Sequence, residues 1–265
     1  MRVEFTLDAG PRIVRFSRPG APNVFAETPS LGWETSHGRP YRLLGGHRLW
    51  SSPECALEEQ LPDDVPVAVS VTADGVELRG GSRTSDGLAR TLVLEFDDGA
   101  PSLRVNHVLT NETDASVEVA VWALTQLAPG GTAVLPQQQG AVDGDQLPNR
   151  HFVLWPYSSL ADRRLRLADD AVRVDATAVD GLFKIGYLNR AGWVAYELGD
   201  TVFRKVFTPE PSEAHVDQGC NVEVYVRAEF LELETLSPLR SVAPGASVEH
   251  LEVWELSAGA NGSGP

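Results

Sequence analysis

The sequence predicts an all-β protein, built as a single antiparallel β-sandwich. Apolar and polar residues alternate along much of the chain, which is the period of a strand, whereas apolar residues at helical spacing are rare. Turn residues interrupt these runs about every ten residues, as in a sandwich. The length of 265 residues suits one large β domain. We expect this domain to span residues 1–256, followed by a small, polar and disordered tail at residues 257–265.

The predicted strands begin at the first residues. Residues 1–10 alternate polar and apolar side chains and lack the basic and apolar regions of a signal peptide. Asp74-Gly75 is a hairpin signal between two further strands. The strands predicted after residue 66 cover residues 67–72, 76–79, 91–96, 103–109, 117–124, 183–187, 193–197, 202–207, 222–225, 230–236 and 248–256. Residues 129–151 and 208–221 are rich in glycine, proline and polar residues and predict long loops.

Charge and composition exclude several classes of function. The formal net charge of −15 repels phosphate backbones and anionic lipids, so we expect neither nucleic acid nor a membrane as partner. No stretch approaches the roughly 20 apolar residues of a membrane helix, and we expect a cytoplasmic protein. Cys55 and Cys220 are the two cysteines and have no CxxC spacing, so the sequence does not decide whether they form a disulfide. We expect no cofactor and no metal, because nucleotide and HExxH motifs are missing and Asp143-Gly-Asp145 lacks further calcium ligands.

Lysine is rare in this chain. Of 22 basic residues only Lys184 and Lys205 are lysines, and each lies between apolar residues in a predicted strand. A protein that otherwise uses arginine keeps lysine where a compact ammonium is needed, which favours a functional role. The alternative is an exposed strand position for each.

Two glutamates share one face of a predicted strand. Within residues 230–236 the leucines face one way, whereas Glu232 and Glu234 face the other. The upstream valines of residues 222–226 have the same parity as the glutamates, which predicts a β-bulge near residues 228–229. The alternative is that both glutamates face water.

The segment of residues 45–54 has the side chains that a sugar needs. Gly45 and Gly46 permit positive φ or close backbone approach. His47, Arg48 and Trp50 then supply hydrogen-bond donors and an aromatic face. The alternative is a turn followed by an edge strand with Trp50 in the core. Further stacking residues, each of which could instead belong to the core, are Trp122, Trp155 and Tyr157.

Short motifs resemble one known superfamily. The run Leu231-Glu-Leu-Glu-Thr-Leu-Ser-Pro238, followed by Val242-Ala-Pro-Gly245 and His250-Leu-Glu-Val-Trp254, resembles the last strands of the aldose 1-epimerase superfamily. The Gly-Gly-His-Arg-Leu-Trp segment is similar to the early Gly-Gly motif of its hexose-6-phosphate epimerase branch. Over residues 1–256 the chain most resembles an uncharacterised bacterial domain-of-unknown-function family within that superfamily. The resemblance implies a galactose mutarotase-like β-supersandwich.

The resemblance also implies a chemistry. In epimerases of this type a glutamate removes the proton of the anomeric hydroxyl and a histidine protonates the ring oxygen. Glu234 matches the glutamate and Arg48 a sugar-binding arginine. The strand that carries the family histidine corresponds to residues 119–126, which contain none. His47, Lys184 or Lys205 would then be the acid, unless the protein has no acid.

The sequence therefore supports three hypotheses. The first is an aldose epimerase or mutarotase-like isomerase that acts on a small sugar, with Glu234 as base and with Arg48, Glu232 and the aromatic residues as binding groups. The second is a non-catalytic carbohydrate-binding protein that uses the same pocket. The third is a sandwich domain that makes only protein contacts. The sugar and its phosphorylation state stay open.

Overall fold

The computed structural model describes residues 1–54, 56, 59, 62–81, 86–96, 101–138, 148–177 and 181–259. This part of the chain contains twenty strands and no α-helix, which confirms the all-β prediction. The strands are β1 (Arg2–Phe5), β2 (Arg12–Ser17), β3 (Glu27–Glu34), β4 (Pro40–Ser52), β5 (Ala68–Val71), β6 (Gly75–Arg79), β7 (Leu88–Phe96), β8 (Ser102–Asn111), β9 (Val117–Leu127), β10 (Thr132–Pro136), β11 (Phe152–Leu154), β12 (Leu165–Leu167), β13 (Ala171–Asp175), β14 (Phe183–Tyr187), β15 (Trp193–Leu198), β16 (Thr201–Phe207), β17 (Val222–Arg227), β18 (Phe230–Leu236), β19 (Arg240–Val242) and β20 (Ser247–Ala258).

The strands form two ten-stranded sheets. The first sheet has the order β1-β2-β4-β9-β18-β17-β14-β11, with β3 added to β4 and β19 to β9. The second has the order β12-β13-β10-β15-β16-β20-β8-β7-β6-β5. Apolar side chains of both sheets, such as Leu231 and Trp254, join in one buried cluster. The molecule is thus an antiparallel β-sandwich, as the sequence predicts.

A tight hairpin explains the change of apolar parity before the two glutamates. Arg227 pairs with Phe230 across a two-residue turn, so even residues of β17 share a face with odd residues of β18. Val224 lies opposite Leu233, and both are fully buried in the core. The predicted β-bulge at residues 228–229 is therefore wrong, because the turn itself reverses the parity.

Strand β4 changes partners at two glycines. It pairs with β3 up to Gly45 and with β9 from Gly46 onward. Both glycines have positive φ, 84° and 70°. A Cβ on Gly45 would lie 1.9 Å from the Ala26 carbonyl oxygen, and one on Gly46 would lie 2.1 Å from that of Ile13. The kink lets the second half of β4 enter the sheet between β2 and β9, so it is not an edge strand.

Other boundaries differ from the predicted ones. The loop predicted at residues 129–151 contains β10, whose apolar residues pair between β13 and β15. Strand β20 continues to Ala258, two residues beyond the predicted end. Strands β2, β3 and β11 to β13 were not predicted. Cys55, Asp143-Gly-Asp145 and residues 260–265 lie outside the described residues. Among the described residues, no helix has the length and apolar character that crossing a membrane requires.

Candidate functional site

A pocket of about 440 Å³ lies on the first sheet, on the face turned away from the core. Strand alternation builds its floor, because paired residues of neighbouring strands point the same way. Arg48 lies opposite Leu124, Trp50 opposite Trp122, and Lys184 opposite Tyr225. The floor consists of Arg48, Trp50, Trp122, Leu124, Lys184, Tyr225 and Glu232. The walls consist of Gly32, Trp33, Leu43, Glu54, Trp155, Tyr157, Leu182, Arg227 and Phe230.

Arg48 lines this pocket and has two donors without a partner. Its Nη2 donates to Glu232 Oε1 at 3.1 Å, and its guanidinium carbon lies 4.3 Å from the Trp50 ring centroid. The same carboxylate oxygen accepts a bond of 2.9 Å from Gln126 Nε2. Arg48 is 5% exposed, yet its Nε and Nη1 have no partner within the described structure. Unpaired buried donors cost free energy, so a ligand that supplies acceptors here gains affinity.

Burial also acts on the partner carboxylate. It raises the pKa of Glu232, and the nearby Glu234 adds to this effect, although Arg48 lowers the pKa. Glu232 is thus a pocket-lining carboxyl that binds a proton more readily than an ordinary glutamate.

Lys184 lies between two buried carboxylates and two indoles. Its Nζ is 2.6 Å from Glu223 Oε2 and 3.1 Å from Glu234 Oε2. It also lies 4.6 Å from the Trp155 ring centroid and 5.0 Å from that of Trp122. Burial alone would lower the pKa of Lys184, but Glu234 and Glu223 outweigh it and raise the pKa above the usual value. Lys184 is therefore a fixed cation, and the expectation that it serves as a neutral-pH acid does not agree with this environment.

Glu234 has the predicted orientation but no open path to the pocket. It lies on the pocket face of β18, while Leu231 and Leu233 lie in the core. Trp122 Nε1 donates to its Oε2 at 2.7 Å, and Lys184 covers the same oxygen. Glu234 is fully buried and does not line the pocket. Trp122, on the strand where the resembled enzymes carry their histidine, supplies a hydrogen bond but no proton that leaves near neutral pH.

His47 and Lys205 lie between the sheets and not in the pocket, so their predicted role as acids is corrected. His47 follows the odd parity of β4 and lies opposite the buried Thr125. Lys205 belongs to β16 of the second sheet and points into the core. Both are 0% exposed, and strand alternation puts His47 on the face opposite to its pocket-lining neighbour Arg48.

These two residues belong to an inter-sheet polar cluster, which consists of His47, His107, His250, Lys205, Glu252, Thr125 and Thr235. His107 Nδ1 donates to the His250 carbonyl oxygen at 2.8 Å, which leaves its Nε2 to accept from His47 Nε2 at 2.7 Å. His47 Nδ1 then accepts from the Thr125 hydroxyl at 2.9 Å. Lys205 Nζ is 2.8 Å from Glu252 Oε1. In this arrangement each ring nitrogen of His47 and His107 has a hydrogen-bond partner, as buried polar groups require.

The cluster brings three potential metal ligands together. The ligand atoms of His47, His107 and Glu252 lie within 4.8 Å of one another. The Lys205 ammonium already forms an ion pair with the Glu252 carboxylate, and the His47 and His107 imidazoles are already hydrogen-bonded to each other. We therefore interpret the cluster as a hydrogen-bonded core. Sequence patterns do not indicate this cluster, because its members lie far apart along the chain.

Glu54 is a pocket-lining carboxyl to which the sequence assigned no role. It ends the segment of residues 45–54 and lines the pocket with Trp155 and Tyr157. The desolvating surroundings of its carboxyl raise its pKa to about 7, opposed by Lys184 and supported by Glu234. Glu54 is exposed as a residue, so water weakens this upward shift of its pKa. Its position at the end of a strand that already supplied Arg48 and Trp50 was the available signal.

Solved structures with the same architecture identify the fold. The Slr1438 protein from Synechocystis sp. PCC 6803 is 14% identical, with a TM-score of 0.56 over 97% of this chain and 92% of its own. A candidate aldose 1-epimerase from Escherichia coli K12 is 14% identical, with a TM-score of 0.52 over 95% and 94%. A candidate mutarotase from Salmonella typhimurium is 12% identical, with a TM-score of 0.57 over 97% and 87%.

The chain thus has the galactose mutarotase-like fold of aldose 1-epimerases, which confirms the resemblance at the level of the fold. No protein-family model matches the sequence, and no curated protein sequence matches it. At these identities the comparisons establish architecture, and the function has to be argued from the site.

Proposed function

We propose that this protein binds a monosaccharide-sized sugar in the pocket of the first sheet. The observation that carries the proposal is the pair of unpartnered Arg48 donors, Nε and Nη1, inside an aromatic-walled pocket. Sugars present C–H faces that stack on aromatic rings and hydroxyls that bind charged groups. The pocket volume also lies within the roughly 300–1,000 Å³ range of small-molecule sites.

The pocket residues divide these tasks. Trp50 is 6% exposed, as the core alternative predicts, yet it lines the pocket and has the Arg48 guanidinium over its ring. The more exposed Trp155 and Tyr157 therefore supply the stacking faces. Glu232 and Glu54 supply acceptors for hydroxyl protons. The neighbours named as a candidate aldose 1-epimerase and a candidate mutarotase support a sugar over other small molecules. A cytoplasmic location stays a prediction from the sequence.

Binding is tested by calorimetry and thermal shift on a panel of mono- and disaccharides. We expect at least one sugar to bind and to raise Tm, because a ligand of the native state stabilises it. Arg48→Lys keeps the positive charge but removes the Nε and Nη1 donors, and it should weaken binding about tenfold or more. Arg42→Lys, at an exposed site on the same strand, is the matched control. The proposal fails if no sugar in the panel binds well into the millimolar range.

A second candidate function is epimerase catalysis, which the two pocket-lining carboxyls with raised pKa favour. One ionised carboxylate would accept the anomeric hydroxyl proton while the other, protonated, gives its proton to the ring oxygen. Glu54 and Glu232 fit these roles better than Glu234, since both line the pocket and Glu234 is covered. Non-catalytic binding ranks first because no histidine lines the described part of the pocket and Lys184 is a fixed cation.

Polarimetry on fresh α-glucose and α-galactose separates the two candidates. We expect the rate of mutarotation to equal the uncatalysed rate, because a positioned acid or base is typically worth about 10²–10⁴-fold and the family acid is replaced by Trp122. A catalysed rate that Glu54→Gln or Glu232→Gln abolishes would establish the epimerase instead. Loss of that rate in Glu234→Gln alone would show that the covered glutamate becomes accessible.

A further inference from the structure

The cations around the pocket already have anionic partners. Arg48 is paired with Glu232, and Lys184 contacts both Glu223 and Glu234. Arg227 at the rim is paired with Glu229 at 2.6 Å. None of these cations offers an uncompensated positive charge to an anionic ligand.

Glu54 is the exception among the charged residues that line the pocket. It makes no ion pair and no hydrogen bond with any residue that the structure describes. The pocket and its ion pairs therefore contain three cations, which are Arg48, Lys184 and Arg227. They contain five carboxyl groups, which are those of Glu54, Glu223, Glu229, Glu232 and Glu234. Burial raises the pKa of Glu223 well above its usual value, although Lys184 opposes this effect, and Glu54 stays the pocket-lining carboxyl without a cationic partner among the described residues.

We propose that the ligand is an amino sugar whose ammonium pairs with Glu54 while its hydroxyls bind Arg48. This inference rests on the proposed function and specifies its substrate class. Glu54 and the unpartnered Arg48 nitrogens line the same pocket, so one small ring has both a carboxylate and hydroxyl-binding donors around it.

The aromatic walls support a cationic ligand. Indole and phenol rings attract an ammonium that approaches their faces, and this attraction grows as water is removed. Trp155 and Trp122 already bind the Lys184 ammonium in this way, which shows that the pocket accommodates a positive charge beside its rings. The net charge of −15 also favours the approach of a cation over that of an anion.

The same arrangement disfavours sugar phosphates, although the hexose-6-phosphate epimerase branch was among the resemblances. A phosphate needs unpaired cations or backbone donors, and arginine serves best when its fork is available. The described cations of this site are all paired with carboxylates, which outnumber them. A phosphorylated ligand should therefore bind more weakly than its parent sugar.

Calorimetry on matched sugars tests the inference. Glucosamine, galactosamine and mannosamine are each compared with the parent hexose, the N-acetyl derivative and the 6-phosphate. We expect at least one amino sugar to bind about tenfold more tightly than its parent, which corresponds to ~1.4 kcal/mol. The N-acetyl form, which has no charge, should lose this advantage, and the 6-phosphate should bind most weakly.

Glu54→Gln assigns the preference to its residue. It should bring amino and parent sugars to the same affinity, because the amide carries no charge to pair with the ammonium. Glu118→Gln removes the same charge from an exposed position of β9 and should leave the preference intact. Parent sugars that bind as well as amino sugars, or a preference that survives Glu54→Gln, would overturn the inference and leave sugar binding standing. If no sugar of any kind binds, the proposed function itself fails.

Discussion

Lys184→Met should lower the free energy of unfolding by about 3–5 kcal/mol, the usual cost of removing one partner from a buried ion pair. The substitution leaves Glu223 and Glu234 together in a site where both are fully buried. It also removes the cation that lies between the Trp122 and Trp155 rings. One carboxyl can take up a proton to relieve the repulsion, but neither regains the lost ammonium contact.

Denaturant unfolding measures this loss. Arg204→Met is the matched control, because Arg204 forms an ion pair with Glu255 in which both side chains are 40% or more exposed. Such surface pairs are worth about 0–1 kcal/mol. Adding Glu223→Gln and Glu234→Gln to Lys184→Met removes the stranded charges and should restore much of the stability. If Lys184→Met costs no more than Arg204→Met, the buried pairs do not stabilise the fold as we infer.

The strand pattern was sufficient to predict which side of the sheet carries the glutamates. Alternation within residues 230–236 separates Leu231 and Leu233 from Glu232 and Glu234, and the structure has the same separation. It was not sufficient to predict which glutamate lines the pocket. That depends on Trp122 from β9 and Lys184 from β14, which lie far away in the sequence and cover Glu234 but not Glu232.

The same limit applies to neighbouring residues of β4. His47 and Arg48 are adjacent, so alternation requires one in the core and the other on the pocket face. The sequence does not show which one, because both are polar and both proved to be buried. The register of β4 against β9, set at the Gly45-Gly46 kink, decides the outcome.

The rarity of lysine indicated special environments but could not distinguish two kinds. Both lysines are buried against carboxylates, in agreement with a need for compact ammonium groups. Lys184 does this at the pocket floor, whereas Lys205 does it between the sheets. Only the assignment of β14 and β16 to different sheets separates their roles.

The inter-sheet polar cluster predicts a large loss of stability in acid. Burial lowers the pKa of His250 from 6.5 to about 3, and it also lowers the pKa values of His47 and His107. Below pH 6.5 these histidines therefore bind protons in the unfolded chain but not in the folded protein. Their contribution to the free energy of unfolding is fully present above pH 6.5 and decreases as the pH falls toward 3. The shift of His250 alone is worth on the order of 5 kcal/mol.

Glu252 extends the same trend to lower pH. Lys205 lowers its pKa to about 2 from 4.5, against the raising effect of burial. A depressed carboxylate stabilises the protein above its unfolded pKa, and this contribution is lost between pH 4.5 and 2. The histidine and glutamate effects therefore act in one direction, and acid unfolding should begin with the histidines.

Chemical denaturation at about pH 8, 6.5 and 5 measures the predicted slope, which linkage ties to the protons bound on unfolding. His250→Gln should reduce the slope, because an amide keeps a donor for the Thr235 hydroxyl but does not titrate. His37→Gln, at an exposed position, should leave the slope unchanged. Equal unfolding free energies at pH 8 and 5 in the unsubstituted protein would mean that the buried imidazoles accept protons at little cost. The hydrogen-bond order that joins His107 to the His250 carbonyl and to His47 argues against that outcome, because a proton on His107 Nε2 would place two N–H donors face to face at 2.7 Å.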